Sequence, residues 1–167
     1  MLAASADRQL KAAEQDRAVV QRLASFRSAM LHVLRRELDE RPILSDSERL
    51  HEYLRADMAF SPVERFRLLC LDVRNRLIRD EVLAQGTVDK AQVYVREVLG
   101  RALEVGAASL IVVHNHPSGD LRPSRQDTDL TRRLARLAPE LDMSFLDHLI
   151  VSSQGVFSFR SAGLIGA

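Results

Sequence analysis

At 167 residues, with 46% hydrophobic and 28% charged side chains, the chain has an ordinary soluble globular composition and the length of one domain with an extension. A net charge of +1 gives no overall electrostatic grip on nucleic acid. The single cysteine, Cys70, excludes an internal disulfide and a cysteine-rich zinc site, and no apolar run is long enough to span a membrane.

Residues 1 to about 41 read as one long helix, rich in Ala, Leu, Arg, Gln and Glu, with no Gly or Pro before Pro42. Val19, Leu23, Phe26, Met30, Val33 and Leu34 recur at steps of three and four and form one apolar stripe. Such a stripe requires a partner surface, on its own domain or on another subunit, so a homo-oligomer through this helix is one expectation. Pro42 to Ser45 is a break. Ser45 to Leu54 is a short helix capped by Ser45 or Ser47. Ser61-Pro62 marks the next boundary and divides the chain into a helical extension (1–61) and a second unit (62–167).

Val63 to Leu71 alternates and then turns continuously apolar, as a strand entering a core does. Cys70 lies inside that run and reads as buried and inert. Asp72 to Arg76 is a turn and Leu77 to Leu83 returns as the second arm of a hairpin, ended by Gly86, with another turn at Asp89-Lys90. Val93 to Val105 is an amphipathic helix with Val95, Val98, Leu99 and Leu103 on one face, closed by Gly106. Ser109 to Val113 is a buried strand running into His114-Asn115-His116, and Pro117-Ser118-Gly119 turns the chain. A helix begins near Pro123-Ser124 and continues through Ala138, with Leu130, Leu134 and Leu137 inward and Arg132, Arg133 and Arg136 toward water. Pro139 stops it. Met143 to Phe145 is a short strand, Leu146-Asp147-His148 leads into the apolar run Leu149 to Val151, and Gly155 turns the chain into a last strand, Val156 to Phe159. These elements give an α+β class: a mixed sheet flanked by helices, behind a long N-terminal helix.

The chemistry concentrates in Ser109 to Asp127, SLIVVHNHPSGDLRPSRQD. Residues two apart on a strand project to one face, so His114 and His116 share a small volume. Asp127 lies three residues past Ser124, in the first helical turn. Two imidazoles and a carboxylate converging in this way make a three-ligand site for a metal such as zinc, with a fourth position left for water. The same Ser-x-x-Asp spacing is also a helix capping pattern, Ser124 bonding a first-turn amide and Asp127 favoured by the helix dipole.

The spacing His-x-His-x7-Ser-x2-Asp, with HNHPSGD and PSRQD around it, resembles the JAMM metalloproteases of the JAB/MPN family, and in particular their RadC-like branch. The resemblance covers roughly Pro62 to Leu164. It implies a cytidine-deaminase-like layered fold and one Zn²⁺ per chain held by His114, His116 and Asp127; the bacterial cytoplasm is expected separately, from an N-terminus with early acidic residues and no apolar core of signal-peptide length. It also implies a peptide or protein substrate cleaved at a peptide or isopeptide bond, a Glu on an early strand as general acid/base, and Ser124 polarising the scissile carbonyl. RadC-like chains carry Glu-x-Phe before the first apolar strand, which Glu64-Arg65-Phe66 matches; Glu81 in the hairpin's second arm is the other candidate. The family also carries counterparts of Arg96, read here as substrate-facing or structural, and of Asp147-His148, read as a buried hydrogen-bonded pair or a catalytic one. Asn115 and Ser118 read as ligand-orienting or as simple turn residues.

Other chemistries lack their motifs. A zinc nucleobase deaminase needs Cys-x-x-Cys, and one cysteine forbids it. No HExxH helix, GxxxxGK[ST] loop or G-x-S-x-G elbow is present. The alternative from another class is a DNA-repair accessory protein that binds nucleic acid or partners without turnover. Near-zero net charge and the lack of a Gly-rich hairpin module of the kind RadC-like proteins carry speak against it.

Overall fold

Five strands form one mixed sheet because the apolar runs named above are spaced by turns and by two amphipathic helices long enough to cross over them. The computed structural model describes residues 3–39, 42–43, 47–86 and 93–165, with side chains from residue 16 onward except at residue 39. In chain order the elements are α1 (Ala3–Asp39), α2 (Ser47–Met58), β1 (Glu64–Leu71), β2 (Leu77–Gly86), α3 (Val95–Val105), β3 (Ser109–Asn115), α4 (Arg125–Leu137), β4 (Ser144–Ser152) and β5 (Gly155–Ser158). The strand order is β2-β1-β3-β4-β5, with β3 and β4 parallel and the other neighbours antiparallel. The predicted α+β architecture is the observed one. The predicted cap at Ser45 and turn at Asp89-Lys90 lie outside the described residues.

Strand alternation sorts the core onto two faces. Phe66, Leu68, Cys70, Leu110, Val112 and Ile150 face α3 and α4, and Leu69, Leu71, Ile111, Val113, Leu149 and Val151 face α1 and α2. The middle strand, β3, is buried at all seven positions. It carries the candidate ligands at its C-terminal end. Cys70 is buried, and burial pushes its thiol up to about 11, so it is an inert core residue.

Three local expectations shift. The two apolar pieces around Asp147 are one strand, β4; its pairing with β3 slips between Leu110 and Ile111, skipping Leu146, and that bulge is why the sequence reads as two runs. In α3, Ala102 is buried and Leu103 is 51% exposed, because the inward face follows residues 95, 98, 99 and 102. In α1, Val19, Leu23, Phe26, Met30 and Val33 stay exposed while Leu38 is buried and Leu31 and Leu34 are partly buried. The face that docks is the one bearing Arg27 and Arg35, whose guanidinium groups reach Asp57 and Asp80. These two charged anchors turn the predicted stripe sideways, away from its own domain.

No described helix is long and apolar enough to cross a membrane.

Candidate metal centre

β3 delivers the two histidines and α4 the carboxylate. His114 lies on the α3/α4 face of the sheet with Phe66, its partner in the β1–β3 register, and the two rings stack at 6.2 Å and 13°. The chain leaves β3 at Asn115, yet the His116 N–H still donates to Val151 O at 2.9 Å, so the second histidine keeps the strand's direction. Ser124 caps α4: its Oγ accepts from Asp127 N at 3.1 Å, while Asp127 Oδ2 accepts from Ser124 N at 2.7 Å, a complete capping box. The cap fixes the side chain of Asp127 beside the imidazoles.

His114 Nε2 lies 2.9 Å from His116 Nε2 and 3.2 Å from Asp127 Oδ1, and His116 Nε2 lies 3.7 Å from Asp127 Oδ2. Tetrahedral zinc with bonds of about 2.0–2.1 Å separates its ligand atoms by about 3.3 Å, which these three distances straddle. The proton positions fit as well. His116 Nδ1 is 2.6 Å from Asp120 O, and a carbonyl can only accept, so the ring proton is on Nδ1 and the Nε2 lone pair points inward. A corresponding argument holds for His114. Thr131 Oγ1 donates to Asp127 O at 2.6 Å, which leaves it accepting from His148 Nδ1 at 2.6 Å. His148 Nε2, 2.9 Å from His114 Nδ1, then accepts from it, and the lone pair of His114 is on Nε2. Two imidazole lone pairs 2.9 Å apart repel unless a cation or a shared proton lies between them. The residues fit a divalent metal of nitrogen and oxygen preference.

The electrostatics show how strongly these groups attract a positive charge. Burial alone pushes the Asp127 carboxyl up, but the neighbouring His114 and His116 imidazoles, which favour its anionic form, outweigh burial and hold the group far below the usual carboxylate range. His116 is raised, chiefly by Asp127 beside it, which would share a proton placed on Nε2 where no metal is bound. His148 is fully buried and stacked on Phe159 at 4.8 Å, and burial drives it well below the usual imidazole value, so it is neutral. His114 is 1% exposed, whereas His116 and Asp127 are 16% and 15% exposed, so the donor set opens to solvent on their side.

Glu64 begins β1 on the same face as Phe66, and the register that sets Arg65 beside Asn115 brings it level with His116. Its charge is felt there, contributing to the raised His116. The side chain of Asn115 holds the backbone on both sides of Glu64: Oδ1 accepts from Arg65 N at 2.9 Å and Nδ2 donates to Val63 O at 3.1 Å. Asn115 is therefore a clamp on β1 rather than a turn residue. Glu81 is committed elsewhere, to Arg101 of α3.

The remaining residues separate clearly. The hydroxyl proton of Ser124 goes to Asp127 Oδ2 at 2.6 Å. Ser118 is exposed, and Arg96 is exposed with its guanidinium over the Tyr94 ring at 5.1 Å. Asp147 and His148 project to opposite faces of β4 and are not a side-chain pair: Asp147 accepts from Ser158, Arg160 and the His148 amide, while the His148 ring joins His114 to Thr131. Arg132, Arg133 and Arg136 are exposed, as expected. Thr131 escaped the sequence reading; its only signal is its place one helical turn after Asp127.

The sequence matches the RadC-like JAB domain over residues 44–164. It is also similar to a UPF0758 protein of Rhodobacter capsulatus, 45% identical over 148 residues, a stretch that is 89% of this chain and 69% of that protein.

Proposed function

The chain belongs to the RadC-like JAB domain family, and from that premise we propose that it is a zinc-dependent hydrolase of the JAMM class, cleaving a peptide or isopeptide bond. The observation that carries this reading is the donor set: two imidazole Nε2 atoms and a carboxylate oxygen aimed into one small volume, with two lone pairs facing each other. His114, His116 and Asp127 would hold the ion. Bound there, zinc supplies Lewis-acid activation of water and of the scissile carbonyl.

The chain's own groups handle the protons. Glu64 takes a proton from the attacking water as its oxygen adds to the carbonyl carbon, and returns that proton to the leaving nitrogen as the C–N bond breaks. Asn115 supports that role by fixing the backbone at Val63 and Arg65. Ser124 donates a hydrogen bond to the carbonyl oxygen as negative charge develops there. Its hydroxyl donates to Asp127 Oδ2, so that donation requires the O–H to turn from the carboxylate to the substrate.

The test is metal stoichiometry on purified protein. The expected result is about one zinc per chain, lost in His116→Ala. Glu64→Gln should retain the zinc and lose roughly 10²- to 10⁴-fold in turnover of an isopeptide-linked substrate. A wild-type chain that takes up no zinc when zinc is supplied would sink the reading and leave a binding protein in its place.

A further inference from the structure

Beside the three donors lies a buried ring of side chains that the hydrolytic reading does not use. His148 is fully enclosed, and its neighbours are apolar or uncharged on most sides: Phe66 edge-on at 6.1 Å and Phe159 stacked at 4.8 Å. Its two nitrogens nevertheless have two polar partners, His114 Nδ1 at 2.9 Å and Thr131 Oγ1 at 2.6 Å. Thr131 is also buried and passes its own proton to Asp127 O, one turn back in α4. The path therefore starts at one donor residue and returns to the backbone of another.

The direction of every bond in this path is fixed at its far end. Asp127 O has no proton to give, so Thr131 donates to it. Thr131 has one proton, already used, so it accepts from His148 Nδ1. A neutral imidazole has one N–H, so His148 Nε2 accepts from His114 Nδ1. His114 is then left with a bare Nε2, the atom 3.2 Å from Asp127 Oδ1 and 2.9 Å from His116 Nε2. Were the path reversed, His114 would present an N–H to the donor set and could not ligate a metal.

We propose that His148 and Thr131 are positioning residues that lock the tautomer of His114, so that its Nε2 lone pair enters the donor set before any ion arrives. The pair touches neither substrate nor reacting atoms. It acts through His114, and its use as a metal support rests on the proposed hydrolase reading. Partners of this kind behind a ligating histidine typically change metal affinity 10- to 100-fold when removed.

The experiment has one readout that needs no metal. In metal-free protein labelled with ¹⁵N-histidine, long-range ¹H–¹⁵N correlations report which ring nitrogen of His114 carries the proton. Wild type should show the proton on Nδ1. His148→Leu keeps the apolar packing and removes the acceptor, and should move His114 toward the Nε2–H form. His148→Gln returns an acceptor near the original Nε2 and should move it back. Thr131→Val leaves both rings in place and removes only the hydroxyl, which allows His148 to reverse and His114 to follow, so the test survives if His148→Leu does not fold.

Zinc affinity, read by competition with a chromophoric chelator, should fall 10- to 100-fold in His148→Leu and Thr131→Val and recover at least partly in His148→Gln. A merely structural role would leave the tautomer of His114 unmoved. An Nε2–H form in wild type, or an unchanged tautomer in both Leu and Val variants, overturns the proposal. A tautomer that responds as stated in a wild-type chain that takes no zinc upholds the relay and overturns the hydrolase reading instead.

Discussion

Each face of the sheet buries a cluster of polar side chains, and the two clusters differ in whether the chain supplies opposite charges for them. On the α1/α2 face, Asp80 is fully buried and accepts from Tyr53 Oη at 2.7 Å and Arg35 Nη1 at 2.9 Å, with Arg67 Nε at 2.7 Å. Arg67 continues to Asp57 Oδ2 at 2.6 Å, and Arg27 and Arg65 bind Asp57 O. Both carboxylates are matched by guanidinium groups from the same chain. On the α3/α4 face, the outer nitrogens of two imidazoles face each other and one carboxylate oxygen, with no Lys or Arg paired to them among the described residues. The first cluster is finished in charge by folding, although Arg67 Nε and Asp80 Oδ1 make an ion pair at 2.7 Å without a hydrogen bond; the second brings donor atoms together with no cation of its own. Burial and perturbed ionisation occur in both, so neither feature alone marks a functional site. What separates the two is charge: the carboxylates of the first face guanidinium groups, and the donor atoms of the second face one another.

The contrast breaks most sharply under Asp127→Ala. Zinc binding should fall by at least three orders of magnitude, because one of three ligands and the charge balancing the ion disappear. Stability without metal should fall only by about 1 kcal/mol, the cost of a lost helix cap. Equilibrium dialysis against zinc and urea unfolding of the metal-free protein measure the two quantities. Full zinc retention would mean that the donors are a structural cluster after all.

Asp80→Ala should do the reverse. It leaves the guanidinium groups of Arg35 and Arg67 facing a buried site without their shared anion, which costs about 3–5 kcal/mol. The zinc stoichiometry of the surviving folded fraction should be unchanged, since the sheet separates the two clusters. Loss of zinc binding in a folded Asp80→Ala chain would show that the clusters are coupled through β1.

How much of this the sequence revealed follows from the range of the interactions. The candidate site was legible because strand period two, a turn and a helix cap confine His114, His116, Ser124 and Asp127 to a span of fourteen residues. The choice of Glu64 over Glu81 needed a family pattern, since only the β1–β3 register separates a residue level with His116 from one facing Arg101. The Asp80–Tyr53–Arg67–Arg35 cluster was illegible: it joins α1, α2, β1 and β2, and each member reads separately as a surface charge or a core aromatic. The stripe on α1 was read correctly as apolar but assigned no orientation, because Arg27 and Arg35 decide which face docks. His148 was noticed beside Asp147, its neighbour in sequence, when its ring partners are His114 and Thr131 on other elements.

The smallest expected effect tests whether the finished cluster is finished by charge. Burial, and then the negative charge of Asp80, push the Tyr53 phenol up to about 12. In the unfolded chain it titrates near 10. Between those values the folded chain keeps a proton that the unfolded chain releases, so stability contributed by the neutral phenol is complete below pH of about 10 and lost as pH rises toward about 12. Tyr53→Phe should therefore be less stable than wild type by about 1.5 kcal/mol at neutral pH, where Asp80 loses a charge-assisted hydrogen bond. The gap should close across the alkaline window. Cys70, pushed up to about 11, titrates in the same region, but it is present in both proteins and cancels in the difference between their curves. Urea midpoints from pH 8 to 12 measure that difference. Parallel curves would mean that Tyr53 packs against the cluster without sharing its charge.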